Sequence, residues 1–558
     1  MTNDKQTIWQ DWDEDTTSLI TRKTAKLSAS AGTGKTYSIL KTIKELIKYG
    51  HDPSKMMFLT LNKSISAEFK DKLLTTTNAT EIPYMGTWHA VGWRLCKKNR
   101  QFDKHRVIGT SDMQSSETQN AIAKQLNYAS TESLRTALHA ISIKTVQGRP
   151  LSPKEQRLYN ELLIAQEESK PKFVTYLAMQ RELLVNKYFD PSITHMFVDE
   201  AQDMGWGHAT YLAHIRDNYN VSIHIYGDEK QEVNGFLGAD HRAFLEFDTL
   251  YRGTIKKTYR LPQSHLDFSN EIFVSSSSFV GLTKETAVEH SGTLEEVTLT
   301  SAIDTAARYA QEGKSVLFLS RFNSQKKEFK YYLAAQRVPF IDNNIVKEDQ
   351  LEFAKEYARC LRLRAFSAKM VDMLNPTRGI GESGLLNVRR KKNAIYVDHS
   401  RREQYLKEVR DLSSAQQTIL SLYENTIDLS SDIPFNDTRS ILLSGFLPQF
   451  IEDFINGTLD FSFFCFKQEG YEMAMSWVDR LGEDIVPVEL SSIHASKGLE
   501  ADCVVLCTDT GGKPLAAEST DPDTERRIWY VGATRSKDAL LLTSLSPESQ
   551  RTRMLPRI

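Results

Sequence analysis

Leu27 to Leu40 reads LSASAGTGKTYSIL, and the fold turns on how this stretch is built. An apolar entry leads into a loop of small residues that ends in Gly34, Lys35 and Thr36. Beyond it, Ile39, Leu40, Ile43, Leu46 and Ile47 recur at helical spacing. A strand, a glycine-bearing loop and a helix in that order turn backbone N–H groups and a helix N-terminus toward one point, which suits a phosphate chain. Lys35 is then placed to reach the β and γ phosphates and Thr36 to hold Mg²⁺, with Ala29, Ser30, Ala31, Gly32, Thr33 and Gly34 as the cradle. Ala29 stands where such loops usually open with glycine. A plain strand-to-helix turn is the competing reading, and the flanking elements favour the phosphate site.

The rest of the chain sets the scale. At 558 residues it exceeds one ordinary core, since domains usually hold roughly 100 to 200 residues. Apolar residues make up 40% and charged residues 25%, a globular balance that argues against global disorder. The 70 Lys and Arg nearly cancel the 72 Asp and Glu, so a polyanion must be held by local patches. Cysteines at 96, 360, 465, 503 and 507 have no paired spacing, which argues against zinc, iron–sulfur or disulfide frameworks and for a reducing cytoplasm. The acidic N-terminus lacks an apolar signal-peptide core, and no apolar run approaches the roughly 18 residues of a membrane span.

Short apolar runs of strand character recur at Met56, Thr194, Val221, Ser315, Asp502 and Ala539, and continuous apolar strands belong to parallel sheets covered on both faces. Two mainly helical stretches separate them. The pattern predicts an α/β chain with two cores, each carrying a helical insertion: a first core over 1–89 and 191–265 interrupted by 90–190, and a second over 266–366 and 485–558 interrupted by 367–484.

An ATPase also needs an acidic strand end, and HMFVDEAQDM, His195 to Met204, supplies one. Asp199 directly after the strand suits Mg²⁺, and Glu200 suits orienting and deprotonating the attacking water. Gln231, after the next strand, is placed to sense the γ phosphate. Arg260 of KKTYRLPQ and Arg535 of ERRIWYVGATRSKDALLL offer it positive charge, and Tyr259 offers a ring face to the base. Arginines from two cores would make hydrolysis depend on closure of a cleft.

In order and spacing these segments resemble the motif series of the superfamily 1A helicases, the UvrD/Rep-like group. ASAGTGKT, FLTLNKSISAEF, GTWHA, VDEAQDM, GDEKQEVNGFLGA, TYRLPQ, VLFLSRFNSQ, NPTRGIG, IHASKGLEAD and RRIWYVGATRSKDAL carry the likeness over about half of the positions. The resemblance implies two RecA-like P-loop NTPase cores and an ATP-dependent DNA helicase using Mg²⁺. It implies that Lys35, Thr36, Asp199 and Glu200 bind and hydrolyse MgATP, with Gln231, Arg260 and Arg535 at the γ phosphate, Tyr259 on adenine and Glu500 at the ribose. Single-stranded DNA would lie near Asn62, Thr87, Trp88, His89 and Phe236 in the first core and near His494 in the second, with 3′ to 5′ movement expected by analogy.

The chain departs from that pattern in places. Asn234 and Leu237 stand where the group usually has Tyr and Arg, Phe236 stands for a Trp, and Tyr37 for an Arg. Gln10 is the candidate adenine reader, at a longer distance from the loop than usual. In GTWHAVGWRLCKKNR, Trp93 reads as a core residue, whereas motif position points Trp88 and His89 toward DNA. Arg389 to Lys392 and the tail RTRMLPRI read as solvated cations. A non-catalytic scaffold would be expected to lose Lys35, Glu200 or Arg535, and all three are present. A motor for a helicase–nuclease would need its nuclease as a separate partner, since only Ser536 to Ile558 follow the last arginine. The likeness is equally compatible with repair, recombination, replication restart or a viral genome's replication, with accessory proteins from any of them.

Overall fold

The computed structural model describes residues 10–11, 24–61, 69–70, 72–73, 82, 84–99, 102, 104–108, 123, 130–168, 172–274, 276, 285–342, 347–367, 369–370, 432–435, 455–456, 468–545 and 550–558. They fall into two compact units. One comprises Met1–Thr293, Gly511–Asp538 and Arg553–Arg557, the other Leu294–Thr510, Ala539–Thr552 and Ile558. The contacts thus group Gly511–Asp538 with the first unit, whereas the sequence pattern alone assigned all of 485–558 to the second core.

The first unit is organised by a parallel sheet. Its strands are β1 (Gln10–Asp11), β2 (Ala25–Ala29), β3 (Met56–Thr60), β4 (Tyr84–Thr87), β7 (His195–Val198), β8 (Ser222–Gly227) and β9 (Tyr251–Ile255); a separate parallel pair is formed by β5 (Arg106–Ile108) and β6 (Phe173–Thr175). The spatial order is β1-β9-β2-β8-β7-β3-β4, with every pairing parallel. Both faces are covered, and β3 shows why its residues are uniformly apolar. Met56 and Phe58 enter the core shared with Ile39, Ile43 and Leu46 of the helix Lys35–Lys48, while Met57 and Leu59 enter the opposite core with Leu212 and Ile215. This period-2 alternation leaves no face for solvent.

The first insertion has its own core. Leu134, Leu138 and Ile141 of the helix Thr131–Val146 meet Leu158 and Leu162 of Pro153–Glu168 and Ala178 and Met179 of Tyr176–Asn186. These spacings of three and four residues are those of helix faces packed on one another.

The second unit carries the sheet β10 (Thr293–Glu296), β11 (Val316–Ser320), β12 (Phe340–Asp342), β13 (Val488–Ser492), β14 (Ala501–Cys507) and β15 (Ser536–Thr543), in the spatial order β10-β15-β14-β11-β13-β12. β11 is central and runs parallel to β13 and β14. Its core joins Phe318, Phe329, Leu333, Tyr357, Trp477, Leu490 and Val505. The calls at Arg378 to Gly381 and Arg389 to Lys392, with most of the second insertion, lie outside the described residues. No helix among the described residues is long and apolar enough to cross a membrane.

Two buried histidines make the first unit sensitive to acid. His224 in β8 is fully buried, stacks near Phe197, and neither ring nitrogen has a hydrogen-bond partner among the described residues. Burial, helped by His195, pushes its pKa down to about 3, and burial with His89 does the same to His208. The unfolded chain protonates both near 6.5, so between about pH 3 and 6.5 it binds more protons than the folded chain and stability falls as pH drops. Each contributes at most about 2 kcal/mol of that loss at pH 5. The Tm should be lower at pH 5 than at pH 7.5, and His224→Phe should narrow the difference; an unchanged gap would place the titration elsewhere.

Candidate nucleotide-binding site

Except for Arg535, the elements of the site follow the carboxyl ends of strands in the first sheet, where the crevices of open parallel sheets form. After β2, Ser30 to Gly34 make a tight turn in which the Thr33 hydroxyl donates to the Ser30 carbonyl at 2.8 Å, and the helix begins at Lys35. Gly32 is left-handed, with φ +70°, and a Cβ there would lie 2.4 Å from the Arg260 Cβ and 2.7 Å from the Thr258 hydroxyl. The approach is close because the loop is tied to the strand end after β9. Thr258 Oγ1 donates to the Ala31 carbonyl at 3.0 Å, and Tyr259 N–H donates to the Gly32 carbonyl at 2.8 Å. Only glycine satisfies both the backbone angle and the contact.

The acidic strand end faces this loop. Thr36 Oγ1 donates to Asp199 Oδ2 at 3.3 Å, and Lys35 Nζ lies 3.5 Å from Glu200 Oε2. Glu200 is itself left-handed, at φ 53° and ψ 42°, a conformation of the kind stored at functional sites. Gln202 holds it in place: its amide nitrogen donates to Glu200 Oε2, while its oxygen accepts from Asp228 N–H at 2.9 Å. Burial, then the Glu200 charge, raises Asp199 to about 7 despite the opposing Lys35. A buried carboxylate beside a hydroxyl is an oxygen donor set that suits Mg²⁺, whose charge would keep Asp199 ionised.

The cationic side converges on the same place. Gln231 donates to Asp228 Oδ2 at 2.7 Å and accepts from Arg535 Nη2 at 3.4 Å. Arg535 lies two residues past the helix Pro522–Ala533, is 1% exposed, and is held by the Val531 carbonyl at 2.8 Å and the Thr534 hydroxyl at 3.0 Å. Arg260 Nη1 donates to the Thr534 carbonyl at 3.4 Å. Burial, then the neighbouring Arg260 charge, lowers Arg535 to about 9. Two guanidinium groups brought together away from water favour an anion between them, as a triphosphate would be.

The structure therefore brings together Lys35, Thr36, Asp199, Glu200, Gln231, Arg260 and Arg535. Tyr259 and Tyr37 are exposed at the rim, at 67% and 68%. Gln10 lies on β1 opposite Gly253, and β9 alone separates it from the loop strand, which answers its long distance in sequence. Glu500 and His494 belong to the second unit; burial, then Arg321, lowers His494 to about 4. Gln202, Thr258 and Tyr530, whose hydroxyl accepts from Ala31 N–H at 3.5 Å, were not singled out from the sequence. Their roles are set by partners distant in sequence, and the only signal each carried was its place in a motif, VDEAQDM, TYRLPQ or RRIWYVGATRSKDAL.

Among the DNA candidates, Asn62 lies outside the described residues. Thr87 caps the helix Trp88–Lys98 by accepting from Ala90 N–H at 3.2 Å. Trp88 is a correction: at 2% exposed, its ring packs against His208 and Tyr211 in the core. The reason is helical phase, because Trp88, Val91 and Leu95 share the inward face. His89, next along, is half-buried beside Tyr176 and held below its ordinary pKa by burial. Trp93 is half-buried under Lys97. Phe236 is 60% exposed on the turn Gly235–Leu237.

Residues 12–192 match the UvrD/REP helicase N-terminal domain and residues 476–547 the UvrD-like helicase C-terminal domain. The chain carries both an N-terminal and a C-terminal domain of the UvrD-like helicases. It is 24% identical to a probable DNA helicase II homolog of Mycoplasma capricolum, over 93% of this chain and 82% of the relative. Identity is 22% to the ATP-dependent DNA helicase Rep of Buchnera aphidicola, over 92% and 88%, and 21% to DNA helicase II of Escherichia coli, over 92% and 81%. The parallel-sheet cores of this chain are those of the RecA-like domains of UvrD-like helicases.

Gly32→Ala should leave the fold intact but strain the loop by about 1–3 kcal/mol, weakening a fluorescent ATP analogue by about tenfold or more. Undiminished affinity would show that the loop does not hold the phosphates.

Proposed function

We propose that this helicase couples MgATP hydrolysis to movement along single-stranded DNA in the 3′ to 5′ direction, and so to unwinding at single-strand–duplex junctions. The observation that carries the reading is the convergence of Lys35, Thr36, Asp199 and Glu200 with Gln231, Arg260 and Arg535 around one point. Lys35 and the loop N–H groups bind the β and γ phosphates, Tyr259 stacks on the base, with Gln10 and Glu500 reading adenine and ribose. Thr36 and Asp199 would hold Mg²⁺, which neutralises phosphate charge when bound.

Glu200, oriented by Gln202, takes the proton of the attacking water, and Arg260 and Arg535 meet the charge that develops on the phosphate oxygens. Gln231 joins Asp228 to Arg535, so loss of the γ phosphate is felt at the start of the segment that leads to Phe236. Phe236, with Thr87, His89 and His494, contacts the strand, and exposed aromatic faces grip bases without regard to sequence. Arg535 directly precedes β15 of the second sheet, so a shift at the γ phosphate is passed along the chain to that sheet. Accessory replication or repair proteins in the cytoplasm are the expected partners.

Lys35→Ala should abolish turnover with the fold retained. Glu200→Gln should still bind nucleotide while kcat falls by about 10² to 10⁴. ATP hydrolysis should rise with single-stranded DNA, and duplexes with a 3′ tail should be unwound in preference to those with a 5′ tail. Rapid turnover by either variant would overturn the assigned roles, and a 5′ requirement would overturn the direction.

A further inference from the structure

The turn that carries Phe236 is gripped from the helix Pro522–Ala533, which ends two residues before Arg535. Arg527 lies on this helix, and Arg535 Nε donates back to its Val531 carbonyl at 2.8 Å. The Arg527 guanidinium is buried, with Nη1 3.5 Å from Glu232 Oε2 and Nη2 3.2 Å from His241 Nε2. Glu232 precedes the turn Gly235–Leu237, and His241 opens the short helix that follows it. One cation therefore closes both ends of the segment on which Phe236 and Leu237 stand exposed at 60% and 47%. Asp240, at the far end, is fixed independently by Trp206 Nε1 at 3.0 Å and by Arg242.

The helix and the arginine tied to its end thus hold two consecutive residues, Glu232 through Arg527 and Gln231 through Arg535. The two grips differ in kind. Arg535 sits among the groups assigned to the γ phosphate, whereas Arg527 touches the base of the exposed turn. A rigid helix that engages both must move both together. The turn carries Leu237 and contributes no cation of its own at that position, so the charge that anchors it comes from the helix.

We propose that Arg527 is a positioning residue that ties the Phe236 turn to the helix leading to Arg535, so that the state of the nucleotide site sets how the turn meets the DNA strand. This rests on the function proposed above, with Phe236 as a DNA contact. Breaking the pair uncouples DNA from ATP turnover and leaves the nucleotide site itself in place.

The test measures ATP hydrolysis with and without a single-stranded oligonucleotide for the parent chain, Arg527→Met, Glu232→Gln and the double variant. Methionine keeps much of the packing of the arginine stem and removes the charge. DNA-free turnover should be unchanged in all of them, the stimulation by DNA should fall by about tenfold in each single variant, and the double variant should be no worse than either, because both break one link. Arg527→Lys, which reaches Glu232 but not both partners, should recover part of the stimulation. Full stimulation in Arg527→Met, equal loss of basal and stimulated rates, or losses that add in the double variant would overturn the assignment. A parent chain whose turnover ignores DNA would overturn the proposed function, and this inference with it.

Discussion

Charge buried at the carboxyl ends of a parallel sheet is the constraint around which the first unit is arranged. Asp199, Asp228, Glu229, Lys230 and Arg535 are all at most 1% exposed. Ions taken out of water are tolerated only when paired and hydrogen-bonded. Lys230 shows how this is met: burial opposes its charge, but Asp228 at 3.2 Å and Glu229 at 3.4 Å outweigh that and raise its pKa. Glu229 in turn accepts from Ser28 at 3.0 Å, on the strand that feeds the phosphate loop. The groups meant to meet substrate are left less evenly balanced, with a raised Asp199 and a lowered Arg535. Under the proposed function MgATP would bring the opposite charges to both and so relieve a cost already present in the fold.

That arrangement explains why the chemistry and its readout share one framework. Gln202 links Glu200 to the backbone of Asp228, Asp228 accepts from Gln231, and Gln231 meets Arg535. The chain of contacts joins two strand ends and the end of one helix. A change at the γ phosphate has a short and rigid route outward.

Much of this was legible in the sequence, where a motif compresses chemistry into adjacent residues. Lys35 with Thr36, and Asp199 with Glu200, were readable because each pair follows an apolar strand whose end fixes its direction. The strands at Met56, His195, Ser222, Val316, Ala501 and Ser536 stood out because they are buried on both faces. Tyr251–Ile255, YRGTI, did not, since its polar residues hide a strand that pairs beside β2 for five residues. Trp88 misled because motif position says nothing of helical phase, and Val91 and Leu95 decide which way the ring points. Gln202, Tyr530 and Arg527 act through partners that sequence spacing alone does not identify, and Arg527 lies almost three hundred residues from Glu232 in a helix that the apolar pattern assigned to the other core.

The central claim is that a triphosphate binds where the loop, the acidic strand end and Arg535 meet. A crystal structure grown with magnesium and a non-hydrolysable ATP analogue tests it most directly. The account predicts the γ phosphate within about 3 Å of both Lys35 Nζ and the Arg535 guanidinium. A nucleotide bound away from Lys35, or an Arg535 that does not approach the phosphate, would contradict it.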